Sequence, residues 1–473
     1  MRKKTVIIIV SVVGVALLAA GLSVLIWWLV TDSNDVTDDD YTTLAPDTET
    51  TTEQVIMEDD FTIIPLEGSM GDLPQTAAYT RIKNSGDMFW WFYPSTNMSR
   101  SGTTRPIVLW LDGVTGTPPS LLANFAMFGP HDFNLNRRDN SWIDEYNLLF
   151  VDSPLGTGFS TVVNEENIPK TLEENAVHLR FTLESFYTLH EEYVNTPLYI
   201  FGEGHGSQLA VALAIELNKP QNFTHNLQGV VIGNGIISPA VALTKLGFYL
   251  EELGYIDANG RSAIENLSNE TNSLVSTEHL EVAFDKFITL GDFVNDYAGA
   301  IAVNLGHIVE KLTRDSTDYF GKKQHMRETH GFTDDQLFMY EVVAPALRIP
   351  ANITYDRYRN AVTDAFRGTF MIPATDRVEY ILQNTNLTVT IYNGNLDAVS
   401  NTPGQVEWVE NLQWNGQMEF LSSPRLPLVV NSLMEGYYRE TERLQFYWMN
   451  AAGLSVPLDS PVAMRRVIQR IMN

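Results

Sequence analysis

The sequence contains no cysteine, and this absence excludes disulfide bonds, thiolate metal ligands and a thiol nucleophile. Basic residues are also few: 31 lysines and arginines stand against 58 acidic residues, for a formal net charge of −27. A surface this acidic repels phosphate backbones, so we do not expect the protein to bind nucleic acid. With 473 residues, 44% of them hydrophobic, the chain is long enough for one large globular domain with insertions or for two smaller ones.

Charged residues are missing from Thr5 to Val30, an apolar run that directly follows three basic residues at positions 2–4. About 20 apolar residues span a bilayer as a helix, whereas the apolar core of a cleaved signal peptide is about 7–15 residues long. The sequence therefore predicts a cytoplasmic tail at residues 1–4 and a retained transmembrane signal anchor at residues 5–30. Because basic clusters stay cytoplasmic, we expect a single-pass type II protein of the plasma membrane or of a secretory or endolysosomal membrane.

Basic residues are missing again from Thr31 to Asp60, a segment that holds eleven acids and eight threonines. Such a composition cannot bury enough apolar surface to fold by itself, so residues 31–60 are predicted to form a flexible acidic stalk. Six Asn-x-Ser/Thr sequons, the acceptor pattern for N-glycosylation, agree with a luminal or extracellular domain beyond the stalk. The sequons begin at Asn97, Asn222, Asn266, Asn269, Asn352 and Asn386.

Beyond the stalk, apolar runs alternate with helical patterns. Alternating, strand-like segments lie around 79–82 and 88–93, and the uninterrupted apolar run at 106–111 is typical of a central strand. Buried strands are also predicted at 146–152, at the segment that begins at Leu198 and at 229–235, and a helical pattern covers about 170–193. This alternation predicts an α/β fold. About 130 residues, from 236 to 365, have mainly helical character and are predicted to form an inserted cap. The sheet resumes at 387–392, and the chain closes with a run at 428–431 and a final helix beyond Pro461.

The segment from Leu198 to Ala212 leads from a predicted strand through a glycine-dense corner into a helix. In α/β-hydrolases the pattern Gly-x-nucleophile-x-Gly forms this corner, and its tight turn lifts the nucleophile above the sheet. Here the corner is Gly202-Glu203-Gly204-His205-Gly206. The central position therefore has no side chain that could attack a substrate.

Several blocks resemble the serine carboxypeptidase-like family of α/β-hydrolases, over nearly all of residues 61–473. Residues 147–160, Asn-Leu-Leu-Phe-Val-Asp-Ser-Pro-Leu-Gly-Thr-Gly-Phe-Ser, are similar to the family signature N-x-L-x-x-D-x-P-x-G-x-G-F-S. Residues 110–120 echo its W-L-N-G-G-P-G-x-S-S loop, and residues 232–235 and 391–397 are similar to its I-G-N-G and Y-x-G-x-x-D blocks. The resemblance implies an α/β-hydrolase fold: a mainly parallel central sheet, flanking helices and an inserted helical cap.

The family uses a Ser, Asp and His triad, and the resemblance implies that two of the three residues are lost in this chain. The family corner G-E-S-Y-x-G places Gly204 where the serine should be. Residues 452–457 align with the family block A-G-H-x-V-P and have Leu454 in place of the histidine. Only Asp397 remains, at the position of the acid that orients the histidine.

The residues that bind substrate in the family are also changed. The resemblance places Val114 and His205 at the two backbone donors of the oxyanion hole. Asp112, Glu203 and Met127 correspond to the residues that bind the substrate's C-terminal carboxylate, and only Glu203 is retained. We expect Asp112 beside Glu203 to repel a carboxylate unless one of the two is protonated.

We therefore expect a membrane-anchored, glycosylated and catalytically inactive pseudoenzyme that acts as a binding, receptor or structural protein, with an unknown protein or glycan ligand. No cofactor and no metal site are expected. The alternative is a hydrolase or acyltransferase with a rebuilt site that uses His205, Asp112, Glu203 and Asp397. One histidine with three unspaced carboxylates lacks the spacing of a metal site, so these acids are expected to be paired or protonated.

Overall fold

A computed structural model describes residues 60–97, 105–114, 117–299, 303–312, 335–356 and 359–472. The predicted cytoplasmic tail, the anchor at residues 5–30 and all but the last residue of the stalk lie outside the described residues. Among the helices within them, none combines the length and apolarity that crossing a bilayer requires.

A twelve-stranded, mostly parallel sheet forms the centre of the described chain. Its strands are β1 (Phe61–Pro65), β2 (Thr76–Ile82), β3 (Gly86–Tyr93), β4 (Ile107–Leu111), β5 (Asn147–Val151), β6 (Thr161–Val162), β7 (Pro197–Glu203), β8 (Asn226–Gly233), β9 (Thr388–Gly394), β10 (Leu426–Val430), β11 (Leu433–Glu440) and β12 (Leu444–Met449). In space the order is β1-β2-β3-β5-β4-β7-β8-β9-β12-β11-β10, with β6 beside β3. The six strands from β5 to β12 in this order pair in parallel, and antiparallel strands extend both edges.

Helices pack on both faces of the sheet and form the cap. They are α1 (Leu172–Leu189), α2 (Gly206–Asn218), α3 (Pro239–Glu252), α4 (Ala258–Ser276), α5 (Leu280–Ile288), α6 (Leu290–Tyr297), α7 (Asp335–Phe338), α8 (Ala344–Leu347), α9 (Arg359–Ala365), α10 (Thr375–Asn384), α11 (Thr402–Glu410), α12 (Gln417–Ser422), α13 (Val456–Asp459) and α14 (Pro461–Met472). Short π-helices cover Leu122–Met127 and Met339–Val343, and single 3-10 turns cover Trp142–Asp144, Glu165–Asn167 and Glu191–Tyr193. Helices α3 to α9 occupy the interval predicted to be the cap.

The sheet is buried on both faces. Successive side chains of a strand point to opposite faces, and the neighbours Trp90 and Trp91 of β3 accordingly belong to two different apolar clusters. Both indole rings are fully buried. A third cluster, which includes Phe284, Phe287 and Phe370, forms the core of the cap. Burial on both faces explains why the central strands appear in the sequence as uninterrupted apolar runs.

The sequence analysis missed four strands, β1, β6, β11 and β12, and β6 has only two residues. β1 is short, and β11 carries mostly half-exposed side chains, so neither has the apolar run that marks a buried strand. β12 does have such a run, Leu-Gln-Phe-Tyr-Trp-Met, and it pairs in parallel with β9. The predicted last strand and final helix are present as β10 and α14, but the prediction lacked β11 and β12, which form an antiparallel meander with β10.

Candidate functional site

Gly204 lies at the sharp corner between β7, which ends at Glu203, and α2, which begins at Gly206. Its φ angle is +59°, in the left-handed region that glycine adopts without strain. The amide of Gly204 donates to the carbonyl oxygen of Gly233 at the end of β8, with an N···O distance of 3.0 Å. The corner therefore has the backbone turn of a nucleophile elbow and no nucleophile on it.

The flanking glycines are required by close backbone contacts. A Cβ atom on Gly202 would lie 2.2 Å from the carbonyl oxygen of Gly206. A Cβ atom on Gly206 would lie 2.3 Å from the carbonyl oxygen of Leu111, the last residue of β4. Because backbone atoms cannot move aside cheaply, both positions accept only glycine.

Ser207, on the first turn of α2, is the hydroxyl nearest in sequence to the elbow. Its Oγ atom donates to the carbonyl oxygen of Gly202 at 2.8 Å, and the side chain is fully buried. A serine nucleophile needs its hydroxyl hydrogen-bonded to a base, and a backbone carbonyl cannot remove its proton. In this geometry the Ser207 hydroxyl is bonded to a backbone carbonyl and is not positioned as a nucleophile.

Asp397 is fully buried in the loop after β9. One carboxylate oxygen accepts from the side-chain amide of Asn234 at 2.8 Å, and the other accepts from the backbone amides of Val399 and Ser400 at 2.7 and 3.1 Å. Asn234 also donates to the carbonyl oxygen of Gly453 at 3.1 Å. The loop that carries Leu454 is thereby joined to Asp397.

A cap segment, residues 303–312, lies over both loops, and we call it the strap. Its Gly306 carbonyl oxygen accepts from the amide of Leu454 at 2.6 Å. On the other loop, Ala398 donates to the carbonyl of Leu305, and the strap amide of Ile308 donates to the carbonyl of Leu396, each at 2.8 Å. Three backbone hydrogen bonds therefore join the strap to the two loops that carry Asp397 and Leu454.

His205 is fully buried against aromatic rings of the cap. Its imidazole stacks on Phe370, with centroids 4.9 Å apart, and meets Phe366 edge to face at 5.4 Å. Nδ1 accepts from the backbone amide of Val114 at 3.3 Å, so the proton of the neutral ring is on Nε2, which has no hydrogen-bond partner among the described residues. Burial lowers the pKa of His205 to about 3. The ring is neutral at physiological pH and holds the Val114 amide, one of the two predicted oxyanion donors.

Asp112 and Glu203 are both fully buried at the ends of neighbouring strands β4 and β7. Glu203 accepts from the hydroxyl of Ser455 at 3.0 Å, and the Trp110 indole N–H lies 3.5 Å from an Asp112 oxygen. Burial first, and then the charges of Glu203 and Asp112, raise the pKa of the Tyr392 hydroxyl well above its usual value. The structure thus brings two of the three predicted substrate-carboxylate residues into a buried, electronegative region.

Met127, the third of those residues, lies at the end of the π-helix Leu122–Met127. It is 3% exposed and belongs to the apolar cluster that contains Trp91 and Phe125. A thioether packed among aromatic rings supplies no charge or strong hydrogen bond to a ligand carboxylate.

Asp152, in the long family-like block, is a buried carboxyl that organises its own loop. It accepts from the hydroxyl and the amide of Ser120 at 2.7 and 3.1 Å, and from the amide of Phe159 at 3.0 Å. Burial raises its pKa to about 7 in spite of these donors. These hydrogen bonds join the block at residues 110–120 to the block at residues 147–160. Asp152 therefore stabilises the fold where these two blocks meet.

Sequence reasoning assigned no role to Asn234, Phe370 or Ser455. Asn234 follows β8 in a Gly-Asn-Gly sequence, and that position at a strand end beside the elbow strand was an available signal. Phe370 lies 165 residues from His205 in the sequence, and no local pattern predicts their contact.

All six sequon asparagines are exposed, which gives a glycosyltransferase access to each side chain. Within the described ranges, no cluster of three or more histidine, aspartate or glutamate side chains is arranged to hold a metal ion.

Comparison with known proteins points to one family. The family model described as serine carboxypeptidase matches residues 67–473. The chain is 29% identical over 398 residues to the retinoid-inducible serine carboxypeptidase of Rattus norvegicus, which covers 80% of this chain and 87% of that protein. It is 28% identical over 419 residues to serine carboxypeptidase-like 51 of Arabidopsis thaliana, covering 83% of this chain and 91% of the relative.

Among solved structures, a prohormone-processing carboxypeptidase from Saccharomyces cerevisiae superposes with a TM-score of 0.72. The two chains are 21% identical, and the match covers 84% of this chain and 91% of the yeast chain. At this identity the similarity establishes the α/β-hydrolase fold.

Proposed function

Because the chain belongs to the serine carboxypeptidase family, we propose that it is a noncatalytic member whose domain binds a ligand in place of cleaving one. The observation that carries this proposal is the elbow, where Gly204 adopts φ +59° with no side chain. A covalent acyl-enzyme route needs a nucleophile at this position and a base within hydrogen-bond reach. Leu454, at the position of the base, cannot accept a proton.

The remaining acid of the triad supports the same proposal. Asp397 accepts a hydrogen bond from Asn234 and two from backbone amides. These contacts satisfy the hydrogen bonding of a buried carboxylate, so we propose that Asp397 stabilises the fold, since Leu454 occupies the position of the family's histidine.

The oxyanion region gives independent support. The Val114 amide, which would stabilise a developing oxyanion, donates to the His205 ring instead. Catalysis by an oxyanion hole requires donors that are oriented toward the reacting oxygen before the reaction starts. A donor bound to a buried imidazole does not meet this requirement.

The rebuilt-site alternative would need His205 to act as a base or acid. With a pKa of about 3, one face stacked on Phe370 and an edge-to-face contact with Phe366, this imidazole stays neutral near neutral pH and is a poor proton donor or acceptor for catalysis. Asp112 and Glu203 remain as buried carboxyls, and Glu203 accepts a hydrogen bond from the hydroxyl of Ser455.

We further propose that the domain is anchored by residues 5–30 as a type II membrane protein, and that it binds a protein or glycan on the luminal or extracellular side. The exposed sequon asparagines and the basic residues at positions 2–4 support this topology. Protease added to intact cells should remove the domain and spare an epitope tag at the N-terminus. Loss of the tag with retention of the domain would reverse the topology.

Activity assays test the noncatalytic proposal directly. The purified full chain should not react with a fluorophosphonate probe, and it should not hydrolyse peptides with free C-termini or ester substrates, with an active serine carboxypeptidase as positive control. Labelling that disappears in Ser207→Ala would identify Ser207 as a nucleophile. Robust hydrolysis that Asp397→Asn or His205→Ala abolishes would establish the rebuilt site.

The restored triad is a sharper test. Gly204→Ser alone should give no turnover, because the hydroxyl has no imidazole to take its proton. Gly204→Ser with Leu454→His should still give little turnover, since Val114 remains bonded to His205. Substantial peptidase activity in this double variant would show that the oxyanion region is competent and that only the two side chains were lost.

A further inference from the structure

The cap contacts the loop after β5 through two residues that lie between α8 and α9. The amide of Asp356 donates to the carbonyl oxygen of Gly158 at 2.6 Å, and the Gly158 amide donates to the Asp356 carboxylate at 3.3 Å. The neighbouring Tyr355 ring meets Phe159 edge to face, with centroids 4.8 Å apart. Asp356 and Gly158 are 198 residues apart in the sequence, and we call these contacts the cap clasp.

Gly158 separates two buried carboxyl groups. Asp356, on one side, has a side chain that is only 6% exposed. Asp152, on the other side, is fully buried, and a Cβ atom on Gly158 would lie 2.2 Å from its Oδ2 atom. The φ angle of Gly158 is +56°, so both its backbone and its close contact with Asp152 require a glycine. Because the region is shielded from bulk water, negative charge on both carboxyls at once is repulsive and costly.

Three more titratable side chains surround these carboxyls. Arg359, at the start of α9, forms an ion pair with Asp356, with Nε 2.6 Å from Oδ2. Tyr79 on β2 and Tyr355 lie near Asp152, and burial first, then the charge of Asp152, raises the pKa of both hydroxyls above the usual value. The guanidinium thus balances the charge of Asp356, and the phenols stay neutral and cannot balance a charge on Asp152.

We infer that the cap clasp is a pH-controlled latch, closed while the Asp152 carboxyl holds a proton and weakened when that proton is lost. Burial, together with the charge of Asp356, raises the pKa of Asp152 to about 7 in the closed state. Opening of the clasp exposes this carboxyl to water and returns its pKa toward the ordinary value of about 4. Because the pKa is higher in the closed state, protonation stabilises closure fully below about pH 4, and this stabilisation is lost as the pH rises through 7.

These two pKa values set the size and the range of the effect. Between pH 5 and 8, the equilibrium constant for opening the clasp should rise by up to about 100-fold. Acidic endolysosomal compartments lie near the lower end of this range and the cell exterior near the upper end, so the clasp would hold in the first and loosen in the second. The latch uses none of the elbow or triad positions, so it does not depend on whether the chain is catalytic.

Hydrogen–deuterium exchange of the full chain between pH 5 and 8, resolved to single amides by mass spectrometry, measures the opening. After correction for the intrinsic pH dependence of amide exchange, the opening constant reported by the Asp356 amide should rise at least about tenfold from pH 5 to 8. The Ile308 amide is the internal control, because it joins another part of the cap to the carbonyl of Leu396 at 2.8 Å. Its opening constant should change by less than about threefold.

Three variants identify the group that titrates. Asp152→Asn should abolish the rise at the Asp356 amide, because an asparagine has no proton to lose in this range. Asp376→Asn is the matched control and should keep the rise, since it removes one carboxylate from a position on α10 that is 75% exposed. Asp356→Asn retains an oxygen that can accept from Gly158 and removes the facing charge, so it should reduce the rise at least about threefold. This variant decides the question if Asp152→Asn does not fold.

The absence of a rise at the Asp356 amide of wild type would overturn the inference, as would an equal rise in Asp152→Asn or an undiminished rise in Asp356→Asn. A rise of the same size at Ile308 would also overturn it, and would assign the pH dependence to the stability of the whole domain.

Discussion

The buried histidine beside the elbow makes the stability of the protein depend on pH. The pKa of His205 is lowered by burial from 6.5 to about 3, so the folded state keeps the ring neutral where the unfolded chain protonates it. A folded-state pKa below the unfolded value means that stability is present above about pH 6.5 and is lost as the pH falls. Between pH 7.5 and 4.5, His205 should therefore cost the folded state about 2–3 kcal/mol.

The perturbation is His205→Phe, which keeps an aromatic ring against Phe370 and removes the titrating group. The variant leaves the Val114 amide without its acceptor, which costs about 1–3 kcal/mol at every pH and so cancels when the two pH values are compared. His178, whose pKa burial lowers to about 4, contributes the same way in both proteins. The loss on going from pH 7.5 to 4.5 should be smaller in His205→Phe than in wild type by about 2–3 kcal/mol.

Urea denaturation followed by tryptophan fluorescence at the two pH values measures this difference. Phe370→Leu is the control, because it removes the stacked ring and retains the imidazole, so it should lower stability and keep the pH dependence. If His205→Phe and wild type lose the same stability to within about 0.5 kcal/mol, His205 titrates freely in the folded protein. That result would refute the buried neutral imidazole and return His205 to the candidates for proton transfer.

Other substitutions test the packing around the site. Gly206→Ala should lower the free energy of unfolding, measured by urea denaturation, by more than about 3 kcal/mol, because its Cβ would lie 2.3 Å from a backbone oxygen. Gly254→Ala should lower it by only about 1–2 kcal/mol, because Gly254 has φ +75° but open space around it. Similar losses in both would contradict the steric argument. Burial raises the pKa of Asp152 to about 7, so its contribution to stability is present below about pH 4 and is lost as the pH rises toward 7. Between pH 5 and 8, the free energy of unfolding of wild type should fall by about 2–3 kcal/mol more than that of Asp152→Asn. Equal changes of this free energy with pH in the two proteins would disprove the prediction. Peptide N-glycosidase should lower the mass of the chain expressed in a secretory host, and an unchanged mass would count against luminal exposure of the sequons.

The sequence by itself predicted the α/β fold, and the family resemblance assigned the candidate site residues. Parallel strands buried on both faces have to be apolar along their whole length, so their runs are visible without coordinates. Glycines at a tight strand-to-helix corner are equally visible, since no other residue fits there. The positions of Gly204, Leu454 and Asp397 followed from the resemblance to the family's blocks, and the structure places all three in loops that follow the parallel strands β7, β12 and β9.

Only the tertiary structure decided what surrounds those residues. The contact of His205 with Phe370, the bond from Asn234 to Asp397 and the strap over Leu454 all join residues far apart in the sequence. Such contacts depend on how the cap packs against the sheet, and they cannot be predicted from hydrophobic periodicity or from local residue spacing. Burial then sets the charge state, because a neutral imidazole is the cheaper form in an apolar environment. The residue types therefore carry the prediction of an incomplete triad, and the packing determined which groups surround Gly204, Leu454 and Asp397.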